Sequence, residues 1–206
     1  MTDTKKPSIT RRHFTGGIAA GAALLSMPAV VRTAMAQTGK EPLKIGMLLP
    51  KSGVQAGLGQ ACQRGADVAQ AVLDDLNYGV KIELLNADTE SSVDTARTQA
   101  EKLLNGGASV LIGAFDSGQS SAIAQVAEQK GIPYVINIAA APDITEQGYK
   151  FVFRNFPTAG MILGDAFTNQ LEIFALVNDQ PKTAVMLHVN DTYGMSILGG
   201  TKAMFP

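Results

Sequence analysis

From residue 43 onward, short apolar runs alternate with stretches of helical spacing, and this alternation limits the fold more than any other feature of the chain. Residues 43–49 read as a first strand, ended by Pro50-Lys51-Ser52-Gly53. A helix is predicted over 58–76, with Ala61, Gly65, Val68, Ala69, Val72, Leu73 and Leu76 along its apolar face. Residues 80–85 make a second strand. Ser91 or Ser92 then caps a helix that runs to Leu104, where Asn105-Gly106-Gly107 supplies residues tolerant of left-handed geometry. A third strand over 108–112, a helix ending near Lys130 and a fourth strand over 134–138, introduced by Gly131-Ile132-Pro133, complete the series. Strands separated by helices of this length imply right-handed crossovers. The fold class is therefore α/β, a doubly wound, mostly parallel sheet covered on both faces. Ligands of such sheets sit beyond the carboxyl ends of the strands, which places Ser52, Ser117 and Ala139 on one rim.

The turn at residues 113–122 joins the third strand to its helix and carries Ser117, Gly118, Gln119, Ser120 and Ser121. The first turn of a helix leaves its amides without acceptors, so small hydroxyl residues and a glycine there can receive a carboxylate. The serines also suffice to cap the helix and do nothing more. Asp116 would repel a carboxylate if its side chain pointed inward; otherwise it faces solvent or caps the same helix.

Beyond Pro142-Asp143-Ile144-Thr145, residues 151–154 form a short strand, residues 158–177 a long helix, and residues 183–189 a further strand ending at Asn190-Asp191-Thr192-Tyr193-Gly194. A last helix begins near Tyr193. One strand with two helices cannot bury a core of its own. Either this segment joins the first sheet or it opens a second unit.

Of the 17 basic and 18 acidic side chains, five basic and one acidic fall in residues 1–36, giving +4 there and leaving 12 basic and 17 acidic, or -5, for the rest. An acidic body has no basic stripe with which to neutralise phosphates, which argues against nucleic acid as a partner. The basic start, the Gly- and Ala-rich apolar run and the exit Ala34-Met35-Ala36 read as an export signal cleaved after Ala36. Arg11-Arg12 resembles a twin-arginine signal, although Thr15 and Gly16 depart from that pattern and leave Sec export open. Cys62 is the only cysteine and is read as a small buried core residue. His188, the one histidine past the signal, is read as a partly buried structural residue. The chain lacks G-x-S-x-G, and neither G-x-G-x-x-G nor a P-loop follows the first strand, so hydrolase, dinucleotide and nucleotide chemistry lose their main signatures. No cofactor and no metal is expected, since His and Cys are not clustered.

The series Ile45-Gly46 through Pro50-Lys51-Ser52-Gly53, Leu58-Gly59, Arg64-Gly65-Ala66, Val110-Leu111-Ile112-Gly113, Gly131-Ile132-Pro133, Pro142-Asp143-Ile144-Thr145, Phe153-Arg154 and Asp191-Thr192-Tyr193-Gly194 resembles the amino-terminal half of a type I periplasmic solute-binding protein. The resemblance is to the leucine/isoleucine/valine-binding branch that serves ABC importers. It implies a non-enzymatic, monomeric periplasmic receptor for an amino acid or carboxylate solute, with the importer's membrane subunits as partners and closure of two lobes as its mechanism. Residues 37–154 would be the first ligand-binding lobe. Residues 155–206 would be the crossing and an incomplete start of the second, so that a fragment with weak affinity of its own is implied. An exported small-molecule sensor and an α/β-hydrolase-like enzyme are the alternatives. A transcription regulator's effector domain would need a helix-turn-helix where the export signal stands.

By the same resemblance, Ser117 with the amides near Gly118 and Gln119 would take a ligand carboxylate. Ile138 through Ala139 to Ala140 would face an α-ammonium group, Leu58 would stand where an aromatic is common, and Tyr193 would approach from the second lobe. Arg154 would be structural. Ala140 lacks the hydroxyl usual at its position, and a buried ammonium without partners is costly. A carboxylate with no α-amino group, or a different small polar solute, is therefore expected to be preferred over leucine.

Overall fold

The computed structural model describes residues 41–178 and 181–204; the export signal read at residues 1–36 lies outside them. The strands β1 (Leu43–Leu49), β2 (Ile82–Asp88), β3 (Val110–Gly113), β4 (Tyr134–Ile136) and β5 (Val152–Arg154) form one sheet in the order β2-β1-β3-β4-β5. Every pairing is parallel. The helices are α1 (Ala56–Asp67), α2 (Ala69–Asp75), α3 (Val93–Asn105), α4 (Ser117–Lys130), α5 (Ala159–Leu176) and α6 (Thr192–Met204), with a 3-10 turn at Pro142–Ile144. The chain leaves β1 outward to β2 and returns past β1 to β3. Right-handed crossovers therefore put α1 and α2 on one face and α3 and α4 on the other.

The core lies between the sheet and the α3–α4 face, where Leu48, Leu111, Ile123, Val126, Tyr134, Ile136 and Ile144 are buried among alanines of α3 and α4. Alanine on α4 lets the helix sit close to both the sheet and α3. Ser92 caps α3 by accepting the Thr95 amide, and Gly131 ends α4 in the left-handed region at φ 65°.

Five expectations are corrected. The helix over 58–76 is two helices that meet at Val68, and most of its apolar face, including Val68, Val72 and Leu76, is exposed. Little packing therefore holds it to a single axis. The second strand runs later than residues 80–85, because its ladder matches β1 from Leu43↔Ile82 to Leu49↔Asp88. Residues 183–189 form no strand among the described residues: Val185 and Leu187 are each 90% exposed, and no neighbouring strand takes their backbone groups. The segment thus adds nothing to the five-stranded sheet. Finally, Cys62 is half-buried and not in the core, with its Sγ 4.0 Å from Asn137 Nδ2 and its thiol pushed up by burial, while His188 is exposed.

Candidate functional site

Beyond the carboxyl ends of β1, β3 and β4 lies a cavity of about 270 Å³ lined by Gln55, Phe115, Asp116, Ser117, Ile138, Ala139, Ala140, Phe156, Ile162, Asp191 and Tyr193. It sits where the strand order reverses, the position at which a doubly wound sheet leaves a crevice.

One wall is the turn between β3 and α4, and nearly every polar group in it is spoken for. Gly113 holds φ 139°, and a Cβ there would stand 2.0 Å from the Leu48 carbonyl oxygen. Only glycine allows β3 to end so close to β1. The Gly113 carbonyl accepts from the fully buried Tyr134 hydroxyl at 2.7 Å, and burial drives that phenol's pKa up. The buried Ser120 hydroxyl oxygen accepts the Ala114 amide at 3.3 Å. Phe115 takes φ 91°, which turns the chain into the N-cap at Asp116. Asp116 Oδ1 accepts the Gln119 amide at 2.8 Å, and its Oδ2 accepts from Gln55 Nε2 at 3.0 Å. Asp116 is thus a helix cap that also lines the cavity.

The opposite wall is the loop after β4. Arg154 donates through Nη1 to the Ala139 carbonyl, and through Nη2 to the Ala141 carbonyl at 2.7 Å and to Thr145 Oγ1 at 3.2 Å. The Ala140 carbonyl accepts the Ala159 amide at 2.8 Å. Three consecutive carbonyls therefore already hold a donor. Desolvation lowers the pKa of the Arg154 guanidinium, partly opposed by the Tyr134 and Glu146 charges.

The third side is the start of α6. Asp191 Oδ1 accepts the Gly194 amide at 2.7 Å, and its carbonyl accepts that of Met195 at 2.9 Å. The two helix starts nearly touch: a Cβ at Gly118 would lie 3.4 Å from Thr192 Oγ1. Two helix amino termini, each with partial positive charge, therefore converge on the cavity, each capped by an aspartate. Of the first four amides of α4, that of Gln119 goes to Asp116 Oδ1 and that of Ser120 to the Asp116 carbonyl. Among the described residues, the amides of Ser117 and Gly118 have no acceptor and are left as donors.

The cavity brings together five of the residues singled out on the sequence: Ser117, Ile138, Ala139, Ala140 and Tyr193. Gly118, Gln119 and Leu58 do not line it. The Gln119 amide is taken by Asp116 and its buried side chain turns toward Thr89 and Gln55, away from the cavity lining. Leu58 is 51% exposed on α1. Sequence reasoning missed Gln55, Phe115, Phe156 and Ile162 as lining residues. Asp191 was at hand within Asp191-Thr192-Tyr193-Gly194, whereas nothing local marks Gln55, whose partners are 61 and 64 residues away. Among the described residues, no Lys, Arg or His lines the cavity, no group of three His, Cys, Asp or Glu could hold a metal, and no helix is long and apolar enough to cross a membrane.

The family model described as "Periplasmic binding protein" matches residues 42–206. The chain is 30% identical over 165 residues to Leu/Ile/Val-binding protein homolog 8 of Brucella abortus, a match covering 76% of this chain and 40% of the relative. Among solved structures it is similar to an ABC-transporter solute binding protein from R. palustris in complex with benzoate, with 31% identity, TM-score 0.67, and coverage of 80% of this chain and 45% of that one. It is also similar to a leucine binding protein from Thermotoga maritima, with 27% identity, TM-score 0.65 and coverage of 79% and 45%. The chain thus spans less than half the length of these relatives. All three are binding proteins, and none is an enzyme.

Proposed function

Given that the chain belongs to the periplasmic binding protein family, we propose that it forms the ligand-receiving lobe of an exported receptor that delivers a small carboxylate, an aromatic one by preference, to an ABC importer. The observation that carries this is the pairing of an aromatic and aliphatic wall, from Phe115, Phe156, Tyr193, Ile138 and Ile162, with Ser117 at the start of α4. An apolar body fills the wall and its carboxylate meets the Ser117 hydroxyl and amide, helped by the two helix starts. The solute's contacts with Tyr193, beside those with Ser117, favour a closed arrangement over an open one, which is what an importer reads. The benzoate complex of the R. palustris relative supports this reading.

An α-amino acid is the second reading, favoured by Asp116 and Asp191 in the wall and by the leucine binding relative. Against it stand the hydrogen bonds that already occupy both Asp116 oxygens and the Ala139–Ala141 carbonyls, together with the missing hydroxyl at Ala140. A thermal-shift series with benzoate and leucine at millimolar concentrations separates the two. Benzoate alone should raise the midpoint; a shift with leucine and none with benzoate refutes the carboxylate reading. Export belongs to the same proposal, with cleavage after Ala36, and mass spectrometry of the exported chain finding Met1 or Thr2 refutes it.

A further inference from the structure

Gln55, in the loop between β1 and α1, meets the cavity through a side chain whose two polar contacts belong to a directed network of four hydrogen bonds. The Thr89 hydroxyl, fully buried, donates to Gln119 Oε1. Gln119 Nε2 donates to Gln55 Oε1 at 2.8 Å, and Gln55 Nε2 donates to Asp116 Oδ2 at 3.0 Å. The ring closes where Asp116 Oδ1 accepts the Gln119 amide at 2.8 Å. Its direction is fixed by chemistry. An ionised carboxylate only accepts, so Gln55 must turn its NH₂ toward Asp116 and its oxygen toward Gln119, and Gln119 must then accept from Thr89. The backbone of Gln55 is held as well, its amide donating to Ser91 Oγ at 3.1 Å while the Ser91 hydroxyl donates to the Ser52 carbonyl at 2.8 Å.

Asp116 adjoins Ser117 in the cavity wall, and an unengaged carboxylate there would repel an anionic solute and would accept a proton donor from a neutral or cationic one. We propose that Gln55 is a specificity-determining positioning residue: by binding Asp116 Oδ2 into the ring, it keeps that carboxylate turned from the solute and lets an anion occupy the Ser117 side of the cavity. This rests on the carboxylate reading above. It makes a prediction that a role in folding alone does not. Losing Gln55 penalises a carboxylate but spares its neutral isostere, because an amide can donate to the freed Oδ2.

The test is NMR titration of the chain with benzoate and with benzamide, for the wild type, Gln55→Leu, Gln55→Met and the double variant Gln55→Leu with Asp116→Asn. Gln55→Met keeps the length, loses the donor and adds no charge, so it serves where Gln55→Leu does not fold. The expected result is a loss of about tenfold in benzoate affinity in both single variants, the size of one polar group left unpaired beside the ligand. Benzamide affinity should hold, and Asp116→Asn in the Gln55→Leu background should restore benzoate. Equal weakening of both probes, or no restoration, overturns the proposal and leaves the carboxylate reading standing. A wild type that does not prefer benzoate to benzamide overturns the carboxylate reading, and the proposal with it.

Discussion

The hydroxyl oxygen of Ser117 accepts the backbone N–H of Ala141 at 3.3 Å, so the first residue of α4 is tied to the loop after β4 across the floor of the cavity. Both residues are buried. The bond leaves the hydroxyl hydrogen of Ser117 as a donor at the point where the unpartnered α4 amides begin, and it fixes the spacing of the two walls.

Ser117→Ala removes that acceptor and strands the Ala141 amide in the interior. A buried amide without a partner costs about 1–3 kcal/mol, and a urea midpoint lowered by that loss divided by the slope, with the slope unchanged, is expected. Carboxylate binding should weaken in the same variant. An unchanged midpoint would mean that the loop does not depend on this bond.

Gly113→Ala is predicted to be among the most damaging single substitutions in the chain. Its Cβ would fall 2.0 Å from the Leu48 carbonyl oxygen at a residue already held at φ 139°. Crowding and backbone strain together should lower stability by about 3 kcal/mol or more. Gly57→Ala on α1, where a Cβ meets nothing within 4 Å, should instead stabilise by about 0.5–1 kcal/mol, because glycine is the poorer helix former. Thermal unfolding of the two variants measures both.

Much of this architecture is written locally. β1 and the cap at Ser92 are legible because each follows from an apolar run or a hydroxyl placed just before a helix. The break at Val68 is not, since the periodic face that suggests one continuous helix is largely exposed and exerts no pull. Residues 183–189 have the composition of a strand, yet a strand is made by its neighbour, and none stands beside it among the described residues. In the cavity, Ser117 sits at a turn that the strand pattern locates, whereas Tyr193 is legible only through the family resemblance, since the strand expected before it is not formed among the described residues. Gln55 and Phe156 come to the cavity from separate loops that only the folded sheet brings together.

Asp88 carries a pH dependence. Partial burial pulls its carboxyl up, but the amide of Glu90, the Ser52 hydroxyl and the amides of Lys51 and Ser52 outweigh it and hold the group below the ordinary Asp value. Its folded pKa is therefore lower than its unfolded one, near 3.9. The stabilisation is present above that value and is lost as pH falls through the folded pKa. Acid unfolding of the wild type and Asp88→Asn should show the wild type losing stability faster below about pH 4. Parallel curves would contradict this.

Arg154 should govern the order of the loop after β4. Its fork reaches the carbonyls of Ala139 and Ala141 together with Thr145 Oγ1, a geometry that a lysine ammonium on a flexible stem cannot reproduce. In Arg154→Lys, hydrogen exchange should quicken across residues 139–145 while β1 and β3 keep their protection. Uniform quickening would point to global destabilisation instead.

The most direct measurement of the central claim is an amide chemical-shift titration of the chain with benzoate. The account predicts that perturbations concentrate at Ser117, Gly118, residues 138–140 and Tyr193, and that leucine at the same concentration does not displace benzoate. Perturbations centred elsewhere, or displacement by leucine at lower concentration than the benzoate present, would contradict it.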